Sequence, residues 1–127
     1  MSYRVSVLQY KPVFLATDYN FHRIADMLSH VESDLVVLPE LALSGYVFSA
    51  MSEVELVAEC IPNGDIFQGF IKLAAELDIS IVYGFAEKEG EVYYNSCALV
   101  NPDGTYHIYR KIHLYNREKL FFSPGNR

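Results

Sequence analysis

The sequence has no tryptophan, only two cysteines and no excess of basic residues, and these shortages exclude several classes of protein. Cys60 and Cys97 are too few for a disulfide framework and form no metal-binding pattern. A formal net charge of −6 disfavours nucleic acid and anionic membrane surfaces as partners. No apolar run approaches the roughly 20 residues of a membrane-spanning helix, and no secretory signal is visible. We therefore expect a cytoplasmic protein that binds neither nucleic acid nor membrane.

The residues that are present indicate a single folded domain. Of the 127 residues, 51% are hydrophobic and 20% are charged, which is typical of a globular protein. A chain of this length buries roughly two-thirds of its unfolded surface, so it can form a core without disulfides. Repeats, low-complexity tracts and linkers are not visible, and we treat residues 1–127 as one domain.

The spacing of apolar residues predicts alternating strands and helices. A first strand is expected at Tyr3–Tyr10, a helix from Thr17 or Asp18 to Glu32, and a second strand at Asp34–Pro39. The later elements expected are a short helix at Glu53–Glu59, a helix opened by a capping box of Asp65 and Gln68, and strands at Ile79–Glu87, Val92–Val100 and Thr105–Arg110. This order predicts an α/β fold, a mixed sheet with helices on one face.

Two charged residues follow predicted strands, where ligands gather in layered α/β folds. Glu40 comes directly after Pro39 among leucines, and a partly desolvated carboxylate there would suit a general base. Lys111 follows the last strand and could stabilise an oxyanion or donate a proton. On spacing alone, an exposed loop acid and a solvated surface lysine remain the commoner outcomes. Glu118 is a weaker candidate, because a charged tail is usually solvated.

Other chemistry finds little support in the residues. The four histidines are scattered and lack partners at metal-ligand spacing. A glycine-rich phosphate loop is absent, and Ser44 lacks the preceding glycine of a nucleophile elbow. Cys97 alternates within a strand pattern and Cys60 ends a short amphipathic segment, so both are predicted to be buried core thiols.

Two fragments, Leu35–Tyr46 (LVVLPELALSGY) and Tyr109–Leu114 (YRKIHL), together resemble the nitrilase superfamily of carbon–nitrogen hydrolases. The resemblance extends from Val5 onward. Four further features follow the running order of that family: Tyr94-Asn-Ser96, the turn Asn101-Pro-Asp-Gly104, Glu118 and Phe122-Ser-Pro-Gly125. Either fragment alone is weak, whereas both in order are specific.

The resemblance implies a fold and a chemistry. It implies the N-terminal half of an αββα sandwich, whose subunits form homo-oligomers through helical layers. It also implies hydrolysis of non-peptide C–N bonds in amide, nitrile or carbamoyl compounds by a Cys, Glu and Lys set, without metal or cofactor. Glu40 matches the general base, Lys111 the residue that stabilises the tetrahedral intermediate, and Glu118 a second, supporting glutamate.

The sequence departs from the family pattern at the nucleophile. The family cysteine lies a few tens of residues beyond the lysine, whereas the 16 residues after Lys111 contain no cysteine. Cys60 and Cys97 both precede the lysine and match no nucleophile position. The resemblance therefore implies a truncated hydrolase domain that is inactive alone. Two alternatives are a non-catalytic fragment that pairs with an intact homologue and a generic α/β binding domain.

Overall fold

The computed structural model describes residues 2–126, which form one five-stranded sheet, three α-helices and one 3₁₀-helix. The elements in chain order are β1 (Val5–Val7), α1 (Thr17–Leu28), β2 (Leu35–Val37), α2 (Met51–Val57), α3 (Asp65–Leu77), β3 (Ser80–Glu89), β4 (Val92–Val100), β5 (Tyr106–Arg110) and the 3₁₀-helix (Asn116–Leu120).

The sheet has the order β1-β2-β3-β4-β5 and is mixed, as the element order predicts. β1, β2 and β3 are parallel, because helices connect them and return the chain to the same edge. β3, β4 and β5 are antiparallel and are joined by tight turns. The turn predicted at Asn101–Gly104 is confirmed, since the Gly104 N–H donates to the Asn101 carbonyl at 3.0 Å.

One face of the sheet packs against α1 and α3 and forms the main core. Because side chains alternate along a strand, Ile81 and Tyr83 of β3 point to the same face, and both are buried. Phe70 of α3 stacks on Tyr83 with ring centroids 3.9 Å apart. Other buried members of this core are Ile24, Leu28, Val36, Phe67, Ala74, Ala98 and Val100.

The opposite face of the sheet is apolar and largely uncovered within residues 2–126. Val5, Val7 and Tyr109 on this face are 54%, 78% and 55% exposed. Val37 and Val82 are only half-buried. We call these five side chains the open sheet face. The alternation along each strand and the pairing between strands place them on the side of the sheet opposite the main core.

A second apolar cluster lies at one end of the sheet and includes α2. Its buried members are Leu41, Phe48, Val54, Val57, Ala86, Tyr93 and Phe122. Ala86 and Tyr93 alternate with Phe85 and Tyr94, so they lie on the same side of the sheet as the open sheet face. The prediction of helices on one face thus describes α1 and α3, while α2 and the tail, residues 111–126 after β5, cover the end of the other face.

Several predicted boundaries are wrong by a few residues. β1 and β2 have three residues each and α1 ends at Leu28, whereas β3 continues to Glu89. The capping box of Asp65 and Gln68 is also wrong, because the residue before α3 is Gly64 and makes no side-chain cap. Instead, the carboxylate of Glu59 accepts hydrogen bonds from the N–H groups of Ile66 at 2.7 Å and Phe67 at 2.9 Å.

Candidate active site

Glu40 lies in a turn directly after β2, and a glycine on the neighbouring strand permits its position. A Cβ added to Gly84 of β3 would lie 2.5 Å from Leu41 N and 2.7 Å from Glu40 Cα. The Ala42 N–H donates to the Gly84 carbonyl at 3.0 Å. Leu41 has a φ of +45°, a conformation that is uncommon for a non-glycine residue and often marks a functional segment.

Lys111 is the first residue after β5 and is fixed by backbone contacts on both sides. Its N–H donates to the Asn95 carbonyl of β4 at 2.8 Å, and its carbonyl accepts from Gly125 N–H at 2.9 Å. The tail therefore packs alongside the end of β5. Since Lys111 alternates with Arg110, its side chain points to the opposite face of the sheet from Arg110.

Glu118 is positioned by the 3₁₀-helix in the predicted tail. Its Oε2 accepts a hydrogen bond from the Tyr115 N–H at 2.9 Å, so the side chain folds back along its own segment. Directly after the 3₁₀-helix, Phe121 and Phe122 pack against Phe48, with ring centroids 6.0 Å apart in each pair. These contacts hold the 3₁₀-helix against the loop that follows Glu40.

The three residues predicted for the site meet around one ammonium group. Lys111 Nζ lies 2.8 Å from Glu40 Oε1 and 3.0 Å from Glu118 Oε2. Glu40 and Lys111 are separated by 71 residues in the chain, so the tertiary fold creates this contact. Two carboxylates and one ammonium give the cluster a formal charge of −1 when all are ionised.

Asn95 of β4 is a fourth member that the residue-by-residue reasoning missed. Its Nδ2 donates to Glu40 Oε1 and to Glu118 Oε1, at 2.8 Å in each case. The side chain is 3% exposed. A polar side chain within the apolar pattern of β4 was the available signal, since a buried amide requires partners. Asn95 thus bridges the two acids without adding charge.

Hydrogen bonds and neighbouring charges together outweigh the effect of burial on the pKa values of the cluster. Burial alone would lower the pKa of Lys111, but its hydrogen bonds to Glu40 and Glu118 and their charges raise the pKa above 10.5. Burial would raise the pKa of Glu118, but hydrogen bonds from Asn95, Lys111 and Tyr115 hold that pKa below 4.5. Lys111 is therefore a cation and Glu118 an anion at neutral pH.

Glu40 lies between the two outcomes that the sequence left open, a partly desolvated base and an exposed loop acid. Its side chain is 51% exposed, compared with 31% for Lys111 and 16% for Glu118, because the neighbouring leucines pack into the core rather than over the carboxylate. Both hydrogen bonds that Glu40 receives within residues 2–126 end on Oε1. Its Oε2 therefore stays open to another group.

The prediction that both cysteines are buried core thiols is wrong. Cys60 is exposed after α2, and Cys97 is only half-buried because it points to the open sheet face. Burial raises the pKa of the Cys97 thiol, which disfavours the reactive thiolate. Cys97 lines a shallow cavity of about 300 Å³ together with Glu40 and Lys111.

A larger cavity of about 710 Å³ opens beside the cluster. Its walls contain the three charged residues of the cluster and Arg117. The other walls are mainly apolar and come from the loop after Glu40 and from the tail: Leu41, Tyr46, Val47, Phe48, Tyr115, Phe121 and Phe122. In the described part of the chain, no three His, Cys, Asp or Glu side chains are grouped to hold a metal ion. The helices described are also too short or too polar to cross a bilayer.

The fold and the cluster define a class of protein. It is an α/β domain in which a lysine is held between two glutamates, at the edge of the sheet where β2 and β5 end. The family model of carbon–nitrogen hydrolases matches residues 4–127. The chain therefore belongs to the carbon–nitrogen hydrolase family, as the resemblance to the nitrilase superfamily indicates.

Similar proteins carry nitrilase and amidase names. A nitrilase from Pyrococcus abyssi is 40% identical over 97% of this chain, which corresponds to 48% of that protein. An (R)-stereoselective amidase from a Pseudomonas species is 38% identical over 87% of this chain and 40% of its own length. The chain thus spans about half the length of the curated relatives it matches, or less.

Solved structures share the fold. A CN-hydrolase superfamily protein from Xanthomonas campestris, with an arsenic adduct in its active site, aligns with a TM-score of 0.88 and 26% identity. The alignment covers 98% of this chain and 47% of that protein. An N-terminal amidase with an Asn-Glu-Ala peptide aligns with the same TM-score and identity, over 97% of this chain and 31% of the amidase chain. These likenesses support the α/β fold class.

Proposed function

We propose that this chain provides the acid and lysine part of a carbon–nitrogen hydrolase site. The reaction is the hydrolysis of a non-peptide C–N bond in an amide, nitrile or carbamoyl compound, through a Cys-Glu-Lys mechanism without metal or cofactor. The nucleophilic cysteine comes from polypeptide outside these 127 residues, so the chain alone is inactive. The observation that supports this most strongly is Lys111 Nζ at 2.8 Å from Glu40 Oε1.

Each residue has a proposed role that follows from its contacts. Glu40 acts as the general base, because its open Oε2 can accept the proton of a thiol. Lys111 remains protonated at neutral pH and stabilises the negative oxygen of the tetrahedral intermediate. Glu118 and Asn95 orient the pair, since Glu118 contacts Lys111 and Asn95 contacts Glu40. Asn95 is buried and the Glu118 side chain is mostly buried.

The substrate enters the cavity beside the cluster in this proposal. The amidases and the N-carbamoylputrescine amidase among the relatives are named for amide and carbamoyl substrates, and we extend that class to this chain. The aromatic walls of the cavity favour a substrate with an apolar part. We also propose a reducing cytoplasm as its location, because both cysteines are free.

A complementation assay tests the proposal. The chain is assayed alone and mixed with the separately produced C-terminal portion of the Pyrococcus abyssi nitrilase, using simple amides, nitriles and carbamoyl amines. We expect turnover only in the mixture, and its loss when the chain carries Lys111→Met. Lys119→Met is the matched control, because Lys119 is an exposed lysine of the nearby 3₁₀-helix that also carries Glu118. Turnover by the isolated chain would contradict the proposal.

A second candidate function is a non-catalytic fragment that pairs with an intact homologue. The open sheet face favours it, since Val7 alone is 78% exposed and contiguous apolar surface marks interaction sites. A mixture of the chain with the intact Pyrococcus abyssi nitrilase distinguishes the two. A stable mixed complex with unchanged turnover would support the interaction function, whereas turnover gained with the C-terminal portion supports the hydrolase.

A further inference from the structure

A second polar cluster lies on the other face of the strands that hold the candidate site. We call it the Glu87–Arg110 cluster, and its members are Glu87, Glu89, Tyr94, Ser96 and Arg110. Neighbouring residues of a strand point to opposite faces. Arg110 therefore belongs to this cluster while Lys111 belongs to the site, and Ser96 and Asn95 are divided in the same way.

The centre of the cluster is a buried bidentate ion pair. Arg110 Nε donates to Glu87 Oε1 at 3.0 Å and Nη2 donates to Glu87 Oε2 at 2.7 Å. Ser96 Oγ donates to Glu87 Oε1 at 2.6 Å, and the guanidinium lies 4.0 Å from the centroid of the Tyr94 ring. Glu87 is 4% exposed, so a missing partner would leave a buried charge unpaired.

The hydrophobic pattern of β5 specifies its register weakly. β5 is an edge strand, and its five residues are half-buried or exposed. A slip of one residue would turn Arg110 to the face of the site and Lys111 to the face of Glu87. Since both residues are cations, charge alone distinguishes the two registers poorly. The planar fork of arginine matches a carboxylate with two hydrogen bonds, whereas an ammonium cannot.

We propose that Glu87 is a positioning residue, which holds Arg110 in bidentate fashion, fixes the register of β5 on β4 and thereby directs Lys111 towards Glu40 and Glu118. The inference deepens the proposed function and rests on it, since Lys111 is the residue that is positioned. Because Glu87 binds arginine in preference to lysine, Arg110 faces Glu87 and the adjacent Lys111 faces the candidate site.

Competitive labelling of lysines tests this in the full 127-residue chain. Acetic anhydride is applied across the alkaline range, each lysine is read by mass spectrometry, and Lys72 of α3 is the internal reference. In the unchanged chain we expect slow labelling of Lys111, because its ammonium is held by two carboxylates. In Arg110→Lys, which keeps the charge but removes the fork, Lys111 should label faster, by roughly fivefold, as more of its amine is deprotonated.

Two more variants complete the test. Glu87→Gln keeps the shape and the Ser96 contact, and it should also accelerate Lys111 labelling. Glu89→Gln is the matched control, because Glu89 contacts the same guanidinium from a side chain that is 68% exposed, and labelling should stay unchanged. Wild-type labelling of Lys111 in folded Arg110→Lys and Glu87→Gln would overturn the inference, even if both variants were less stable.

Other outcomes are also decisive. Loss of the folded state in both variants, measured by circular dichroism, would mean that the ion pair is needed for folding rather than for register, and would overturn the inference. Fast labelling of Lys111 in the unchanged chain would contradict the site itself and thus the proposed function. Slow labelling in the unchanged chain and in both variants would overturn the positioning role alone, because labelling does not depend on hydrolysis.

Discussion

At the residue scale, the central feature is one lysine shared between two acids of unequal exposure. Glu118 is mostly buried and accepts hydrogen bonds from three donors: the Asn95 side chain, the Lys111 ammonium and the Tyr115 N–H. Glu40 is half-exposed and receives hydrogen bonds on one oxygen only within residues 2–126. The proposed roles rest on this asymmetry, with Glu118 holding the lysine and Glu40 exchanging a proton.

The ion cluster should contribute stability over a defined pH range. The raised pKa of Lys111 means that its contribution is full below 10.5 and is lost as pH rises through the folded-state value. The lowered pKa of Glu118 means that its contribution is full above 4.5 and is lost as pH falls through the folded-state value. Lys111→Met should therefore cost about 1–2 kcal/mol of unfolding free energy near neutral pH.

Urea denaturation of the variant and the unchanged chain at several pH values measures this cost. Between pH 4.5 and pH 10.5 the difference in unfolding free energy between the two chains should be constant, and it should shrink outside that pH range. Lys119→Met should show no such plateau, since Lys119 is exposed. A difference that does not change with pH would contradict the ionic account.

Gly84 is needed for the close approach of the Glu40 turn to β3. In Gly84→Ala the new methyl would lie 2.5 Å from Leu41 N and 2.7 Å from Glu40 Cα, so the turn must move. We expect a loss of about 2–4 kcal/mol and faster labelling of Lys111. Gly90→Ala, in a turn with open space around it, should cost about 1 kcal/mol from its positive φ and leave Lys111 unaffected. Equal effects of both variants would contradict this.

Sequence motifs singled out three of the four residues that meet around Lys111 Nζ, but spacing alone could not. Glu40, Lys111 and Glu118 became specific only through the order of the two family fragments, because their contact joins residues 71 apart. Asn95 was missed as a site residue because its role depends on which carboxylates face it. The exposure of Glu40 was left open between a partly desolvated base and an exposed loop acid, since neighbouring leucines in the sequence do not determine which way each side chain packs.

At the scale of elements, local chemistry predicted best. The antiparallel β3-β4-β5 arrangement follows from alternation and from turns such as Asn101–Gly104, where every determinant lies within a few residues. The start of α3 at Asp65 was predicted, but its cap was not, because Glu59, six residues before Asp65, accepts from the N–H groups of Ile66 and Phe67. The acceptor of a helix terminus can therefore lie outside the local capping pattern.

Glu59 should stabilise α3 through its carboxylate. Glu59→Ala should lower the unfolding free energy by about 1–2 kcal/mol, because the Ile66 and Phe67 N–H groups lose their acceptor. Burial raises the pKa of Glu59 despite these hydrogen bonds, so its contribution weakens as pH rises above 4.5 through the folded-state value.

The checks are thermal unfolding at several pH values and a control on the neighbouring helix. Glu55→Ala removes an exposed acid of α2, and it should change stability little. Glu59→Gln should retain part of the stability, because one side-chain oxygen still accepts. An unchanged melting temperature in Glu59→Ala would contradict the capping role.

At the scale of the whole molecule, one layer of helices covers one layer of sheet, and the second face is left open within residues 2–126. Val5, Val7 and Tyr109 on this face are exposed, although valine and tyrosine are large apolar side chains that usually pack against a second layer. The predicted αββα sandwich has a second sheet against this face. The chain spans 48% of the Pyrococcus abyssi nitrilase, which is consistent with one sheet of such a sandwich.

The isolated chain should associate with itself through the open sheet face. Exposed apolar patches and edge strands promote such contacts. Light scattering after size exclusion should show oligomers or aggregates, and Val5→Lys with Val7→Lys should reduce them. The control pair Tyr19→Lys with Leu56→Lys changes the charge equally at exposed sites on α1 and α2. An unchanged chain that elutes only as a monomer would contradict this expectation.

Zero-length carbodiimide crosslinking with mass spectrometry tests the central claim most directly. The reagent joins a carboxylate to an amine only when the two are in contact, and Lys111 Nζ lies 2.8 Å from Glu40 and 3.0 Å from Glu118. We expect intramolecular isopeptide links from Lys111 to Glu40 or Glu118, and none from Lys72 to either acid. Lys111 linked only to other carboxylates, or to none, would contradict the existence of the site.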